Sequence, residues 1–242
     1  ETSSLIGANG VEINARHELR ISDLSRTAVR HLKKTLADLN LQVCSLRFPT
    51  RRPLSDEADL DQRLDGIKKA MLAAYDLGAK VVIGNLERIP DPESAPMQYQ
   101  LLQAALADLA KHGQRVGTSY AFGAGFADPE LLKKLTEELP TGIGIGYDFD
   151  PAGFLLNNQD AEAFLRQHGQ AVLQMRARDA VRDLSQGQAI EVTLGRGSID
   201  FPQMFGLLEE KSFQGFVVVE HQAGDSPAIE ISNAIQFLQS FF

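Results

Sequence analysis

The feature that most constrains this chain is an alternation that runs its whole length. Short apolar runs rich in β-branched residues recur, and each is followed by a stretch with helical spacing of its apolar positions. The strand candidates are Gly10–Asn14, Leu41–Leu46, Lys80–Asn85, Arg115–Tyr120, Gly142–Asp148, Ala171–Arg176 and Gly215–Glu220. The helix candidates cover 23–39, 58–77, 96–112, 128–138, 159–168, 201–211 and 226–241. Gly78, Gly113 and Gly169 read as left-handed helix stops, and Pro129 and Pro202 as first-turn prolines behind Asp128 and Asp200. Strict strand–helix alternation implies a parallel sheet covered by helices. Residues 2–9 read as the end of a helix preceding the first strand candidate, and an eighth strand upstream of Glu1 would complete a (β/α)8 TIM barrel. A doubly wound open sheet is the alternative. It lacks support because no Gly-rich phosphate loop follows an early strand. Gly142, Gly144 and Gly146 fall inside a strand instead of opening a helix.

Composition narrows the class. At 242 residues, with 43% apolar and 23% charged residues, the chain suits one soluble α/β domain over 1–242. No apolar run reaches the roughly 18 residues of a membrane helix. The lone Cys44 excludes an internal disulfide and a Cys-rich zinc site, and its apolar strand marks it as a small buried residue. A net charge of −8 opposes non-specific nucleic-acid binding, and the absence of Trp leaves little for base stacking. The expected partner is therefore a small molecule, with no nucleic acid and no membrane. No secretory signal is visible, so a cytoplasmic location is expected. Since the chain opens on Glu1 within a helix end, the natural chain is expected to start upstream.

In a parallel α/β fold the chemistry gathers at the carboxyl ends of the strands. Those ends offer Asn14, Arg16 and His17; Arg47, Arg51 and Arg52; Asn85 and Glu87; Tyr120; Asp148 and Asp150; Arg176, Arg178 and Asp179; and Glu220 and His221. A loop over 187–200 adds Glu191 and Gly195-Arg196-Gly197. Asp148 and Asp150 share one strand parity, as do Arg176 and Arg178. An ion pair with Asp179 or Glu191 is the structural reading of one of these arginines. His112 and His168 precede glycines at helix ends, where a cation suits the helix dipole, and His31 lies mid-helix.

Several segments together resemble the xylose-isomerase-like TIM-barrel superfamily of sugar phosphate isomerases and epimerases. They are the helix and strand Ile67–Ile83, the strand end Tyr147–Leu156, the strand end Met175–Asp179, the loop Glu191–Phe201, and the last strand Gly215–Glu220. The resemblance implies a divalent metal (Mn, Mg or Zn) held by Glu, Asp, His and Glu at four strand ends. Asp150 and Glu220 match two of these ligands. The His position holds Arg176, the first Glu aligns on Ala121, and a second His position holds Gly153. Half of the ligand set is thus absent, and an arginine, always charged, repels a cation.

Two functional readings follow from the resemblance. The first is isomerisation or epimerisation of a sugar or sugar phosphate by proton transfer next to a carbonyl. Glu220 acts as base, Arg176 supports the developing oxyanion, and Asp150 completes the catalytic set. Arg196, Arg178, His221, His17 and Arg47 are its candidate substrate-binding residues. The second is a non-catalytic barrel that keeps a sugar-acid or sugar-phosphate pocket and has lost the metal. A guanidinium plugging the site against Glu220 would favour the second. Barrels of this kind pair, so a homodimer is an expected assembly. An abasic-site endonuclease is disfavoured, since the chain lacks a histidine-rich metal cluster and a basic groove.

Overall fold

The computed structural model describes residues 2–86, 88–139, 144–183, 188–220 and 227–241. In chain order the elements are α1 (Thr2–Leu5), β1 (Gly10–Asn14), α2 (Arg26–Ala37), β2 (Gln42–Arg47), α3 (Leu60–Leu77), β3 (Val81–Gly84), α4 (Pro96–Val116), β4 (Ser119–Phe122), α5 (Pro129–Glu137), β5 (Ile145–Phe149), α6 (Pro151–Leu156), α7 (Ala161–His168), β6 (Val172–Ala177), β7 (Asp179–Asp183), β8 (Gln188–Val192), α8 (Phe201–Glu210), β9 (Phe216–Val219) and α9 (Pro227–Gln239). Among the described residues, no helix is long and apolar enough to cross a membrane. The chain divides into two compact units, Gly10–Gly146 and Glu1–Asn9 with Tyr147–Phe242.

In the unit Gly10–Gly146, β1 to β4 are parallel neighbours in chain order. All four residues of β3 are buried, the near-continuous apolar strand that helices on a parallel sheet demand. α3 supplies one such cover. Ile67, Ala70, Met71, Ala74 and Leu77 recur at helical spacing and are buried. The helix stops at Gly78, whose φ of +89° is left-handed as its sequence signal predicts.

α4 corrects the expected stop at Gly113. The helix continues to Val116 and ends on Gly117 at φ +85°. Gly113 serves close packing instead, because a Cβ there would lie 2.6 Å from the Thr118 carbonyl oxygen. As a result β4 begins at Ser119, not at Arg115, and Tyr120 lies within the strand. Tyr120 faces Gly84 of β3, while the adjacent Ala121 points to the other face. His112, expected near a helix end, is inside α4. Burial pushes its pKa down, and its Nε2 is buried without a partner among the described residues.

In the other unit β5, β6 and β9 are parallel, with Asp148 opposite Gln174 and Arg176 opposite Val218. Aromatic packing seats the helices on β5. Phe149 stacks on Phe164 with centroids 5.9 Å apart, and Phe154 meets Phe164 at 4.7 Å. α6 was not expected from sequence. It starts directly behind β5, with Asp150 as N-cap and Pro151 in its first turn. Gly169 is right-handed and leads into a short 3-10 turn, Gly169–Ala171, which corrects its reading as a left-handed stop. The segment read as a loop over 187–200 is partly strand: β7 and β8 form an antiparallel hairpin running from the Asp179–Val192 pair to the Asp183–Gln188 pair.

A candidate site at the ends of β5, β6 and β9

Strand parity builds this site in two rungs. On the inner rung, Asp148 of β5 meets Arg176 of β6. Arg176 donates from Nε (2.9 Å) and Nη2 (2.7 Å) to Oδ2 of Asp148. Gln174, two residues earlier on β6, donates to the other carboxylate oxygen at 3.2 Å. Arg176 also donates from Nη1 to Oε2 of Glu220 at 3.0 Å. The Arg176 and Asp148 side chains are each 6% exposed, and Glu220 is 25% exposed. A guanidinium is therefore held between two carboxylates, with Nε and Nη2 converging on one oxygen of Asp148 and Nη1 turned to Glu220.

On the outer rung, Arg178 donates from Nη1 to Oδ2 of Asp150 at 2.6 Å. Its Nη2 donates to Glu191 of β8, tying the hairpin to the strand ends. Asp150 also caps α6, its Oδ1 accepting from the Gly153 amide at 3.1 Å. Burial pushes the Asp150 carboxyl above the ordinary carboxylate range, although Arg178 and the Gly153 amide pull the other way. For Arg178, burial disfavours the charge, but Glu191 and Asp150 more than offset it and hold the guanidinium firmly protonated. Gly153 is required here: a Cβ at this position would lie 2.9 Å from Oδ2 of Asp150. A histidine at 153 would collide with the carboxylate that Arg178 holds.

Behind the site, Asp179 organises the loop between β8 and α8. Its Oδ2 accepts from the amides of Gly195 (3.0 Å) and Gly197 (2.8 Å). Its Oδ1 accepts from Ala180 (2.9 Å) and Ile199 (3.2 Å). The expected ion pair thus falls to Glu191, and Asp179 acts as a backbone anchor. Arg196, between the two glycines, is exposed, so the loop is pinned by Asp179 and not by that arginine.

The remaining sequence candidates sit as follows. His17 is exposed in a turn closed by Asn14, whose Oδ1 accepts from the His17 amide at 3.2 Å. Arg47 is half-buried at the end of β2. His221 and Glu87 lie outside the described residues. Gln174 and the anchoring role of Asp179 were missed by sequence reasoning, as was the pairing with Arg176 of Asp148, which had been named only as a strand-end candidate. The shared parity of Asp148 with Asp150, and of Gln174 with Arg176, was the available signal.

Among the described residues, the donor set does not fit a divalent ion. The two carboxylates that match family ligands, Asp150 and Glu220, are each in contact with a permanent cation, at 2.6 Å and 3.0 Å. Arginine cannot shed that charge to admit a metal. Among the described residues, no group of three or more His, Cys, Asp or Glu side chains is placed to hold an ion.

The family profile of the xylose isomerase-like TIM barrel matches residues 2–241, and the chain belongs to that family. The fold is accordingly a TIM barrel, and the doubly wound alternative falls. Solved structures agree. A xylose isomerase domain protein from Planctomyces limnophilus superposes with a TM-score of 0.85 at 18% identity, covering 99% of this chain and 90% of that one. A xylose isomerase-like TIM barrel protein from Mycobacterium smegmatis, in complex with magnesium, gives 0.78 at 15% identity over 99% and 86%. A sugar phosphate isomerase/epimerase from Parabacteroides distasonis gives 0.75 at 13% identity over 99% and 86%. A search of curated protein sequences finds no match.

Proposed function

We propose that this protein binds a small sugar or sugar acid at the ends of β5, β6 and β9 without a divalent metal. Arg176 and Arg178 supply there the positive charge that an ion supplies in metal-dependent relatives. The observation that carries this reading is Arg176, buried between Asp148 and Glu220 with three of its nitrogens engaged. Glu220, the candidate base, is already engaged by that guanidinium at 3.0 Å. The same guanidinium fills the position of the family's histidine. Membership of the isomerase and epimerase family supports a sugar-like ligand, and the arginine pairs support binding over turnover.

A second reading is favoured by Asp150, a carboxyl pushed up by burial at a strand end, where proton-transfer groups are found. In that reading Glu220 and Asp150 move the proton and Arg176 supports the oxyanion, making the protein a metal-independent sugar isomerase.

One experiment tests both. The purified protein is analysed for bound metal, titrated with Mn²⁺, Mg²⁺ and Zn²⁺ and with a panel of aldoses, ketoses and aldonic acids by thermal shift, and incubated with each sugar in D2O. Ligand-dependent stabilisation with no metal response and no deuterium incorporation is expected. A stoichiometric, stabilising metal overturns the arginine-centred site. Deuterium incorporation next to the carbonyl moves the conclusion to the isomerase. A panel without any stabilising sugar overturns sugar binding.

A further inference from the structure

A cleft lies wholly within the unit Gly10–Gly146, between α3 and the segment that follows β1. It has a volume of about 530 Å³, within the range of small-molecule sites. Its apolar lining comes from Leu19, Ile21 and Leu24 on one side, and from Phe48, Leu72 and Ala73 on the other. Leu72 remains 52% exposed on α3 although its neighbours in the cleft are apolar.

The cleft is electrically polarised, and α3 gives its direction. Gly66, Lys69, Leu72 and Asp76, with Ala73 four residues after Lys69, line one face of this helix. The Phe48 ring rests on Gly66, where a Cβ would lie 3.0 Å from its Cζ. This close approach explains a glycine inside a helix, a position that costs about 1 kcal/mol relative to alanine. Arg16 lies over the same ring, 5.6 Å from the centroid, and is fixed by donating from Nη1 to the Pro49 carbonyl at 2.7 Å. Arg16 and Lys69 therefore mark the Gly66 end, Leu72 and Ala73 the middle, and Asp76 the far end, about 10 Å from Lys69 along the helix axis. Lys69 is paired with Asp65 at 2.7 Å, but both are largely exposed, and such pairs give way readily. Arg20 adds a third cation to the lining.

We propose that this cleft binds a small amphipathic carboxylate, its head at Arg16 and Lys69 and its apolar body along Leu72 and Ala73. Charge complementarity selects the anionic head, and the apolar middle selects the chain. The proposal is independent of the sugar-binding reading, since it shares no residue with the strand-end site.

Titration calorimetry of the full chain with octanoate tests it, with octan-1-ol as the neutral counterpart. Saturable one-to-one binding of octanoate is expected, at least tenfold tighter than octan-1-ol. Leu72→Asp, and Arg16→Glu combined with Lys69→Glu, should each weaken it at least tenfold. All three positions are exposed, so circular dichroism should be unchanged in these variants. Equal binding of the alcohol, binding insensitive to the charge reversals, or no saturable binding overturns the proposal. Self-association lost in Leu72→Asp, without octanoate binding, overturns it in favour of a second copy of the chain.

Discussion

A Cβ added at Gly197 would lie 1.8 Å from Oδ1 of Asp179. The loop between β8 and α8 is wrapped this tightly because the Asp179 carboxylate, 2% exposed, accepts from four backbone amides, those of Ala180, Gly195, Gly197 and Ile199. Asp179→Ala strands these donors and should cost about 3 kcal/mol, since buried donors left unpaired lose more than a typical bond is worth. Gly197→Ala should destabilise in the same direction by forcing the anchor apart. Urea denaturation checks both. Loss under about 1 kcal/mol for Asp179→Ala would show that water or loop relaxation satisfies the amides.

Arg176 supports a second prediction. Removing one member of a buried ion-paired group leaves an uncompensated charge, at a cost of about 3–5 kcal/mol. Arg176→Met should lose stability on that scale, because Asp148 is 6% exposed. Arg176→Met combined with Asp148→Asn should recover most of the loss, since both charges of the tighter pair vanish together. A double-mutant cycle by chemical denaturation measures the coupling. Additive losses would mean that Arg176 and Asp148 act independently despite their 2.7 Å contact.

These clusters show where the sequence was legible. The parallel alternation was readable because buried strands such as Val81–Gly84 and amphipathic helices such as Leu60–Leu77 carry their own period. The strand-end face could be read as well, with Asp150, Arg176, Arg178 and Glu220 named from position. The partnerships could not. Whether Arg176 pairs with Asp148 or Asp150 depends on sheet register, and the register shift between Tyr147 and Asp148 has no local signature. Gly113 and Gly169 misled for a related reason. A glycine marks either a left-handed stop or a close approach, and only the neighbours decide. At Gly113 the neighbour is the Thr118 carbonyl, brought in by the turn that follows α4. The β7–β8 hairpin was hidden because its two strands pair with each other and not with the parallel sheet, outside the strand–helix alternation that was read.

Tyr120 supports a third prediction. Its ring is fully buried, and its hydroxyl has no hydrogen-bond partner among the described residues. The same hydroxyl occupies the space that a side chain at Gly84 would take, 1.9 Å from a Cβ there. Burial holds the phenol far above its ordinary pKa, so it stays neutral. Tyr120→Phe removes a dehydrated polar group without breaking a bond, and should stabilise by about 1 kcal/mol. Gly84→Ala should destabilise by about 2 kcal/mol or more through overpacking against the ring. Thermal denaturation distinguishes them. A Tyr120→Phe variant less stable than the parent would show that the hydroxyl has a partner, such as a buried water.

His168 makes the last prediction one of pH. Its ring packs against Phe164 at 5.1 Å and edge-on to Tyr147 at 5.7 Å, and burial pushes its pKa below the ordinary histidine value. Above that ordinary value, about 6.5, the ring is neutral in both folded and unfolded chains and pH has no purchase on it. As pH falls below it, the unfolded chain takes up the proton first, so stability is lost between the ordinary pKa and the lowered one. His112, also lowered by burial, acts in the same direction. The melting temperature should therefore hold near pH 7.5 and fall toward pH 5.5. His168→Phe should keep the aromatic packing and reduce that fall, leaving the His112 share. An unchanged pH profile in His168→Phe would assign the whole effect elsewhere.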